Sequence, residues 1–293
     1  MLVTAPCECG LVLRERTVQV SPGVSLFVAS TTGRADSVLL VVHGGPDWDH
    51  SYLREPLSQL ADRHRVVLPD LRGCGRSSQG LAEADYTPDA VVGDLLALAD
   101  ELGARRFSLL GFSWGGLIAQ RVAVAVPDRV EHLIIASSGV LPVDAAAFGQ
   151  CPEREERRAA EASVWADTSL AGPQLTRAAA VASAPANVWR AEALPGYLLR
   201  LADVQFSAEW LRPWQAGILP PARLEHPIAQ LAATGVPILL LHGRHDMTFP
   251  VSGVQRAAAM LPSCQAVVLE EAGHMAHVDQ PSAWLDAIAH FLG

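Results

Sequence analysis

The amino-acid sequence predicts an α/β protein built on a mostly parallel, doubly wound sheet. Continuous apolar runs at residues 38–42, 65–68 and 107–110 are typical of strands that are buried on both faces. Helical patterns separate these runs, and strands that alternate with helices indicate parallel pairing. Alternating apolar and polar residues at 15–20 and 24–29, joined by a Ser-Pro-Gly turn, predict an antiparallel hairpin at the start of the sheet.

The later part of the chain continues the same pattern, which brings the prediction to about eight strands. Further strands are expected at 132–136, 237–241 and 266–269. Helices are expected at 53–62, at 89–102, directly after Ser113, at 255–261 and at 282–292.

Residues 141–235 differ in composition from the rest of the chain. They are rich in alanine, arginine and glutamate, contain no strand-like run, and hold four of the seven tryptophans. We therefore predict a helical cap, inserted in an α/β core formed by residues 11–140 and 236–293. Because aromatic side chains commonly line ligand pockets, we expect a substrate pocket to be lined by tryptophans, listed here: Trp48, Trp189, Trp210 and Trp214.

The segment Gly111-Phe112-Ser113-Trp114-Gly115 has the pattern G-x-S-x-G between an apolar run and a helical pattern. A serine in such a tight strand-to-helix turn has its hydroxyl lifted clear of the sheet. The helix that follows directs its free N–H groups and positive dipole end toward the same place. These features predict that Ser113 is a nucleophile.

The partners of Ser113 are expected at the carboxyl ends of other parallel strands. His274 follows one such end and is the candidate base, while Asp246 follows another and is the candidate acid. Asp144, near the start of the predicted cap, is the alternative acid. Two backbone N–H groups are expected to bind an oxyanion, one from Trp114 and one from Gly45 in the loop His-Gly-Gly-Pro.

Other polar residues near the predicted strand ends are given structural roles. Asp70 and Arg72 are expected to form an ion pair that holds their own loop. Asp47, Asp49 and His50 either line the mouth of the site, where they would bind a cationic group, or belong to a solvated loop.

Charge and composition exclude several classes of function. A net charge of −9 argues against binding to nucleic acid or an anionic membrane. All 22 basic residues are arginine, so Schiff-base chemistry and a P-loop lysine are excluded. No apolar run is long enough to span a bilayer, and Met1 to Gly10 lack the features of a signal peptide. Five irregularly spaced cysteines predict free thiols and a cytoplasmic location.

Taken together, these motifs resemble the α/β-hydrolase superfamily over nearly the whole chain. The matching segments are listed here: His43-Gly44-Gly45-Pro46, residues 70–77, Gly111 to Gly116, Gly243-x-x-Asp246 and Gly273-His274. The resemblance implies an α/β-hydrolase fold and a serine triad. Within the superfamily the motifs look most like the proline iminopeptidase branch, which implies an acidic binding site for a free amine near the cap. Candidate acids for that site are Glu192, Asp203, Glu209 and Glu225.

The sequence thus favours a serine hydrolase that needs no cofactor or metal and cleaves an ester or amide of a small molecule or short peptide. A ligand-binding or sensor protein on the same fold is one alternative. Acyltransferase or haloperoxidase-like chemistry on the same residues is another. Epoxide hydrolase chemistry is disfavoured because the nucleophile position holds Ser113 rather than an aspartate. The oligomeric state stays open.

Overall fold

The computed structural model describes residues 13–32 and 37–293, and its described strands form one sheet. The sheet order is β1-β2-β4-β3-β5-β6-β7-β8. The strands are β1 Arg14–Ser21, β2 Val24–Ser30, β3 Val38–Val42, β4 Arg65–Pro69, β5 Phe107–Phe112, β6 Val130–Ala136, β7 Ile238–Gly243 and β8 Cys264–Leu269. Strand β2 pairs antiparallel with β1 and with β4, and every other neighbouring pair is parallel. The predicted mostly parallel sheet with an antiparallel hairpin is confirmed.

Helices connect the parallel strands and cover both faces of the sheet. The α-helices are α1 Arg54–Leu57, α2 Pro88–Glu101, α3 Trp114–Ala125, α4 Arg154–Ala166, α5 Gly172–Ala182, α6 Ala184–Asn187, α7 Leu194–Asp203, α8 Leu211–Gln215, α9 Pro227–Thr234, α10 Val251–Met260, α11 Ala276–Asp279 and α12 Pro281–Leu292. Short 3₁₀ helices lie at Ser51–Leu53, Ser58–Leu60, Glu83–Asp85, Pro127–Arg129, Ala145–Gln150 and Ala191–Ala193.

The helix predicted around residues 53–62 is present only as short helical turns that end at Leu60, because the segment breaks within α1. Glu55 takes an extended conformation with φ −103° and ψ 131°. A residue that precedes proline is pushed out of the helical region by the proline ring, and Pro56 follows Glu55. In α2, by contrast, a proline stands where it favours the helix. Pro88 occupies the first turn, and Thr87 caps the N-terminus by accepting a hydrogen bond from the N–H of Ala90.

Two apolar layers hold the sheet between the helices. On one face, β-strand residues pack with α2, α3 and α10 through side chains such as Leu95, Ile118 and Val254. On the other face, the packing partners include Leu53, Tyr197 of α7 and Trp284 of α12. Because both faces are covered, the carboxyl edge of the parallel strands is left as the place where loops meet.

Every regular element between residues 141 and 235 is a helix, in agreement with the absence of strand-like runs there. Helices α4, α5 and α8 of this segment contribute side chains to cavities above the sheet edge. The division of the chain into a core and an inserted cap stays a prediction.

Two further findings concern membranes and thiols. Within the described residues, no helix combines the length and the apolar composition needed to cross a bilayer. Cys74, Cys151 and Cys264 are free thiols, while Cys7 and Cys9 lie outside the described residues.

Candidate active site

Ser113 lies at the junction between β5 and α3, in a conformation that few side-chain-bearing residues adopt. Its φ is 54° and its ψ is −123°, and it occupies the position that caps the N-terminus of α3. Glycines make this turn possible: a Cβ atom at Gly115 would lie 2.1 Å from the carbonyl oxygen of Val42. The tight turn therefore presents the Ser113 hydroxyl above the sheet edge, beside the amide groups of the first helical turn.

A chain of hydrogen bonds joins Ser113 to His274 and Asp246. Nε2 of His274 lies 3.1 Å from Ser113 Oγ, and Nδ1 of the same ring lies 2.9 Å from Asp246 Oδ2. With the proton on Nδ1, the imidazole donates to the carboxylate and accepts from the serine hydroxyl. The three side chains come from loops after β5, β7 and β8, which all end at the same edge of the sheet.

Asp246 is buried, with an exposed fraction of 1%, and its carboxylate is well supplied with donors. Oδ1 accepts hydrogen bonds from the N–H groups of Thr248 and Phe249 at 2.7 and 2.8 Å. Burial alone would raise the pKa of Asp246, but the neighbouring His274 and His242 and these hydrogen bonds outweigh it and lower the pKa. The acid is therefore ionised when it faces the His274 ring.

Asp144, the alternative acid, lies elsewhere. Its side chain is exposed and accepts a hydrogen bond from the N–H of Ala146 at 3.0 Å. It thus caps the 3₁₀ helix Ala145–Gln150, and it makes no described contact with His274.

The loop after β3 packs directly against the nucleophile. A Cβ atom at Gly44 would lie 2.6 Å from the Cβ of Ser113. Gly45 has a φ of 56° and lines a cavity together with Ser113 and His274. Among the described residues, the N–H groups of Gly45 and Trp114 have no hydrogen-bond acceptor. Both are thus available to bind a developing oxyanion.

Asp47 borders a cavity beside the site, as the predicted lining role requires, but neither Asp47 nor Asp49 lies in a solvated loop. Both are buried, and both bind the segment that leads into α8. Asp47 accepts hydrogen bonds from the backbone N–H groups of Trp210 and Leu211 and from the Ser207 hydroxyl, at 2.8 to 3.0 Å. Asp49 accepts from the N–H of Gln205. The two carboxylates therefore join the loop around Gly45 to residues 205–211.

The predicted Asp70–Arg72 ion pair is wrong, because each residue has another partner. Arg72 forms a two-pronged pair with Asp94 of α2, with N–O distances of 2.6 and 2.7 Å. Asp70 instead binds Nδ1 of the buried His50 at 2.5 Å and the backbone N–H of Arg76 at 2.9 Å. The side chains of Asp70 and Arg72 diverge after the strand ends, so their closeness in sequence is misleading.

Two adjoining cavities open beside Ser113. The first, about 220 Å³, is lined by Ser113, Gly45, His274, Arg158 and Thr248, among others, and is called the narrow cavity below. The second, about 400 Å³, is called the tryptophan cavity. Its tryptophans are Trp48, Trp114, Trp165, Trp210 and Trp214. Trp48, Glu161 and Ser183 line both cavities, so the two cavities adjoin at these side chains.

The tryptophan positions agree only in part with the sequence prediction. Trp48, Trp210 and Trp214 lie in the tryptophan cavity as predicted, but Trp189 lines neither cavity. Its indole instead stacks on the ring of His245, with ring centroids 3.5 Å apart. A hydrogen bond from the backbone N–H of Trp189 to the carboxylate of Asp279 holds the turn before α7 in this place. Trp165 was not predicted as a lining residue, and no signal distinguishes it from the other tryptophans of the segment.

Sequence reasoning also missed a charged pair at the junction of the cavities. Arg158 and Glu161, three residues apart on α4, form an ion pair of 2.9 Å and both line the narrow cavity. Helix α4 carries many arginines and glutamates, so the pattern alone gives no reason to select these two.

Behind the site, His277 lies fully buried among Tyr52, Phe112 and Trp284. Neither ring nitrogen has a hydrogen-bond partner among the described residues. Burial lowers the pKa of His277 to about 3, so its ring is neutral.

Comparison with known proteins agrees with the fold. Residues 37–281 match the family model described as the alpha/beta hydrolase fold. A solved structure of a proline iminopeptidase-related protein from Thermus thermophilus superposes with a TM-score of 0.72 and 27% identity, covering 96% of this chain and 97% of that one. A thermophilic esterase from Thermogutta terrifontis gives a TM-score of 0.69 and 28% identity, covering 96% and 98%.

Among curated proteins, a match to epoxide hydrolase 3 from Siraitia grosvenorii is more limited. It is 34% identical over 121 residues, which are 41% of this chain and 37% of the epoxide hydrolase. The chain therefore matches little more than a third of that relative's length. The matched family supports a hydrolase as the general class of activity.

Proposed function

Because this chain belongs to the alpha/beta hydrolase fold family, we propose that it is a serine hydrolase that cleaves a carboxylic ester or amide through an acyl-enzyme. The observation that carries the proposal is the hydrogen-bonded chain from Ser113 through His274 to Asp246. It meets two unpaired N–H groups at a cavity, which is the combination that acyl transfer requires.

In the proposed reaction, Ser113 Oγ attacks the substrate carbonyl while Nε2 of His274 takes the hydroxyl proton. The carbonyl oxygen becomes an oxyanion, which the N–H groups of Gly45 and Trp114 bind. His274 then gives its proton to the leaving alcohol or amine, and the acyl group stays on Ser113. A water molecule, deprotonated by His274, releases the acid. The ionised Asp246 stabilises the imidazolium that forms in both halves of the reaction.

The structure favours an ester without a free amine over an aminopeptidase substrate. None of the four candidate amine-binding acids lines either described cavity. Glu209, for example, accepts from the Tyr86 hydroxyl and from the N–H of Gly80. Glu192 is exposed and pairs with Arg190. The one glutamate in the narrow cavity, Glu161, is already paired with Arg158. We therefore place a carboxylesterase first and a proline iminopeptidase-like activity second.

The test is active-site labelling followed by a substrate panel. A fluorophosphonate probe is expected to label the folded protein on Ser113, and Ser113→Ala is expected to abolish labelling without loss of fold. Aminoacyl naphthylamides and small esters are then compared at equal concentration. Absence of labelling in folded protein contradicts the proposal.

The same panel separates the remaining alternatives. Labelling with a strong preference for prolyl naphthylamide would favour the aminopeptidase. Faster transfer of the acyl group to an added alcohol than to water would favour an acyltransferase. Turnover that depends on peroxide would favour a haloperoxidase-like enzyme. Tight ligand binding without any turnover would favour a sensor. The small-molecule substrate and the cytoplasmic location predicted from composition stay predictions.

A further inference from the structure

We propose that the tryptophan cavity binds the acyl part of the substrate as a neutral aromatic group, which makes esters of arylalkanoic acids with small alcohols the preferred substrates. The inference rests on the proposed serine hydrolase activity and adds to it a substrate class. It follows from three properties of the cavity: the aromatic side chains of its walls, its position relative to Ser113 and His274, and the charged groups at its border.

The walls suit a flat apolar ring. Trp210, with an exposed fraction of 2%, forms the inner wall and meets Trp114 edge-on, with ring centroids 5.1 Å apart. Trp165 and Trp214 stand at the outer side, 43% and 60% exposed, with centroids 5.9 Å apart. Aromatic rings prefer such edge-to-face and offset neighbours at about 4.5–7 Å. The volume of about 400 Å³ holds a phenyl ring with a short linker.

The position of the cavity relative to His274 decides which half of the substrate it holds. The leaving group must lie beside Nε2 of His274, because that atom protonates it. Residues from the loops after β7 and β8, such as Thr248, His274 and Met275, line the narrow cavity. None of the described residues of those loops lines the tryptophan cavity, which is instead bordered by Pro46, Asp47 and Trp114. The leaving group therefore occupies the narrow cavity, and the acyl group extends toward the tryptophans.

The carboxylates that border the cavity already have hydrogen-bond or ion-pair partners. Asp47 accepts three hydrogen bonds from residues 207–211, and Glu161 pairs with Arg158 at 2.9 Å. An anionic acyl group would lose its hydration beside these carboxylates, and a cationic one would find their oxygens already bound to other donors. An α-ammonium group next to the carbonyl would meet the Glu161–Arg158 pair and would have to compete with Arg158 for the carboxylate. A neutral arylalkanoyl group avoids both costs.

The reaction on the preferred substrate balances without any co-reactant besides water. With methyl 3-phenylpropanoate, a bond forms between Ser113 Oγ and the acyl carbon, and the bond from that carbon to the methoxy oxygen breaks. Methanol leaves with the proton from His274. Water then releases 3-phenylpropanoic acid and returns the proton to Ser113.

The experiment compares four methyl or acetyl esters by the acid that each releases. Methyl 3-phenylpropanoate and 2-phenylethyl acetate are isomers that place the same phenyl ring on opposite sides of the ester. Methyl acetate lacks the ring, and the methyl ester of phenylalanine adds only the α-amine. We expect kcat/KM to be about tenfold or more higher for methyl 3-phenylpropanoate than for each of the other three.

Two variants test whether the tryptophans cause the preference. Trp165→Ala and Trp214→Ala each remove an exposed ring from the outer wall and leave Ser113, His274 and Gly45 untouched. Each is expected to lower kcat/KM for methyl 3-phenylpropanoate by about threefold to tenfold and to change methyl acetate by less than about twofold. Leu199→Ala, at a residue that is 72% exposed and lines neither cavity, is the control and should change neither substrate.

The outcomes separate this inference from the function on which it rests. If Ser113 is labelled and methyl acetate is hydrolysed, but the phenylethyl isomer is preferred or the tryptophan variants leave the ratio unchanged, the aromatic acyl site is refuted and the serine hydrolase stands. If Ser113 is not labelled and no ester is hydrolysed by folded protein, both are refuted. Equal rates for the phenylalanine ester and its amine-free counterpart would refute the requirement for a neutral acyl group.

Discussion

Asp246 and Asp70 are buried carboxylates along the same edge of the sheet that each bind Nδ1 of a histidine, and only one of these two histidines faces a nucleophile. In the pair of His274 and Asp246, Nδ1 lies 2.9 Å from the carboxylate, and in the pair of His50 and Asp70 the distance is 2.5 Å. Each aspartate directly follows a strand or its short loop, after β7 and β4 respectively. Each aspartate also accepts hydrogen bonds from backbone N–H groups nearby.

The difference lies in what the other ring nitrogen meets. Nε2 of His274 lies next to Ser113 Oγ and opens on the narrow cavity. Nε2 of His50 accepts a hydrogen bond from Nε of Arg54, and His50 has an exposed fraction of 0%. The first pair can pass a proton between a serine and a substrate, whereas the second can only hold its loops together. A buried histidine–aspartate pair is therefore evidence of chemistry only when the outer nitrogen is accessible to a reactant.

The largest expected effect comes from removing one carboxylate at a time. Asp246→Asn should lower kcat on a small ester by about 10⁴-fold, because an amide cannot stabilise the imidazolium and favours the wrong ring tautomer. Asp70→Asn should keep kcat per folded molecule within about threefold of the wild-type value. It should instead lower the free energy of unfolding by about 3 kcal/mol, since it leaves His50 poorly paired in the interior. Steady-state kinetics and denaturant unfolding of both variants measure the contrast.

The comparison breaks if the two variants behave alike. Equal losses of kcat would mean that the His50–Asp70 pair acts on the reaction, directly or through the adjoining loop. Equal losses of stability, with kcat unchanged in both, would remove the distinction on which the proposed mechanism depends. The double variant adds a further check. The two carboxylates share no described hydrogen-bond partner, so their effects on stability and on kcat should add.

Sequence patterns locate the strand ends well, and this explains which parts of the site they anticipate. Ser113, Asp246 and His274 each follow a predicted parallel strand, and parallel strands bring their carboxyl ends to one edge whatever their distance in sequence. The partners of Arg72 and Asp47 follow no such rule. Arg72 pairs with Asp94, 22 residues away on α2, and Asp47 binds N–H groups more than 160 residues away. These pairings depend on how helices pack over the sheet, which local patterns do not encode.

The tryptophans give the same lesson for the pocket. Their abundance in residues 141–235 predicts an aromatic lining, but it does not tell which rings turn inward. Trp165 lines the cavity and Trp189 stacks on His245, although both belong to the same segment of helices. The choice is made by tertiary contacts such as the hydrogen bond from the N–H of Trp189 to Asp279.

The next largest expected effect is on the pH dependence of stability, and it comes from His277, which has no carboxylate partner among the described residues. It extends the comparison from paired histidines to an unpaired one. Burial lowers the pKa of His277 to about 3 in the folded protein, whereas an unfolded histidine titrates near 6.5. Between these values only the unfolded chain takes up the proton, so the stabilisation present above pH 6.5 is lost as the pH falls. His277→Phe keeps a ring of similar shape and removes this proton. From pH 7 to pH 5, the wild type should lose about 2 kcal/mol more stability than the variant.

Denaturant unfolding at several pH values measures that difference. Asp246, Asp70 and His242 titrate in both proteins, so their contributions cancel in the comparison. Parallel stability curves for wild type and His277→Phe would show that His277 is protonated in the fold or finds a partner there. In that case the distinction between paired and unpaired buried histidines would not hold.

The smallest expected effect concerns Asp47, a buried carboxylate that accepts hydrogen bonds from backbone N–H groups instead of binding a histidine. Burial raises its pKa, so the ionised carboxylate is costly to hold, while its hydrogen bonds to residues 207–211 offset that cost. Asp47→Asn removes the charge but replaces one acceptor oxygen by a donor that opposes the N–H of Leu211. These two changes act in opposite directions, so the free energy of unfolding should fall by only about 1 kcal/mol.

The effect should nevertheless be concentrated where Asp47 binds. The amide protons of Trp210 and Leu211 are expected to exchange with solvent about fivefold faster in Asp47→Asn, whereas those of β5 and β7 keep the rates of the wild type after correction for global stability. Ser207→Ala is the matched control, because it removes a hydroxyl that lies between the same carboxylate and the carbonyl of Gly73 and leaves both backbone hydrogen bonds in place. Unchanged exchange at Trp210 and Leu211 would mean that residues 205–211 are held over the loop by the packing of Trp210 rather than by Asp47.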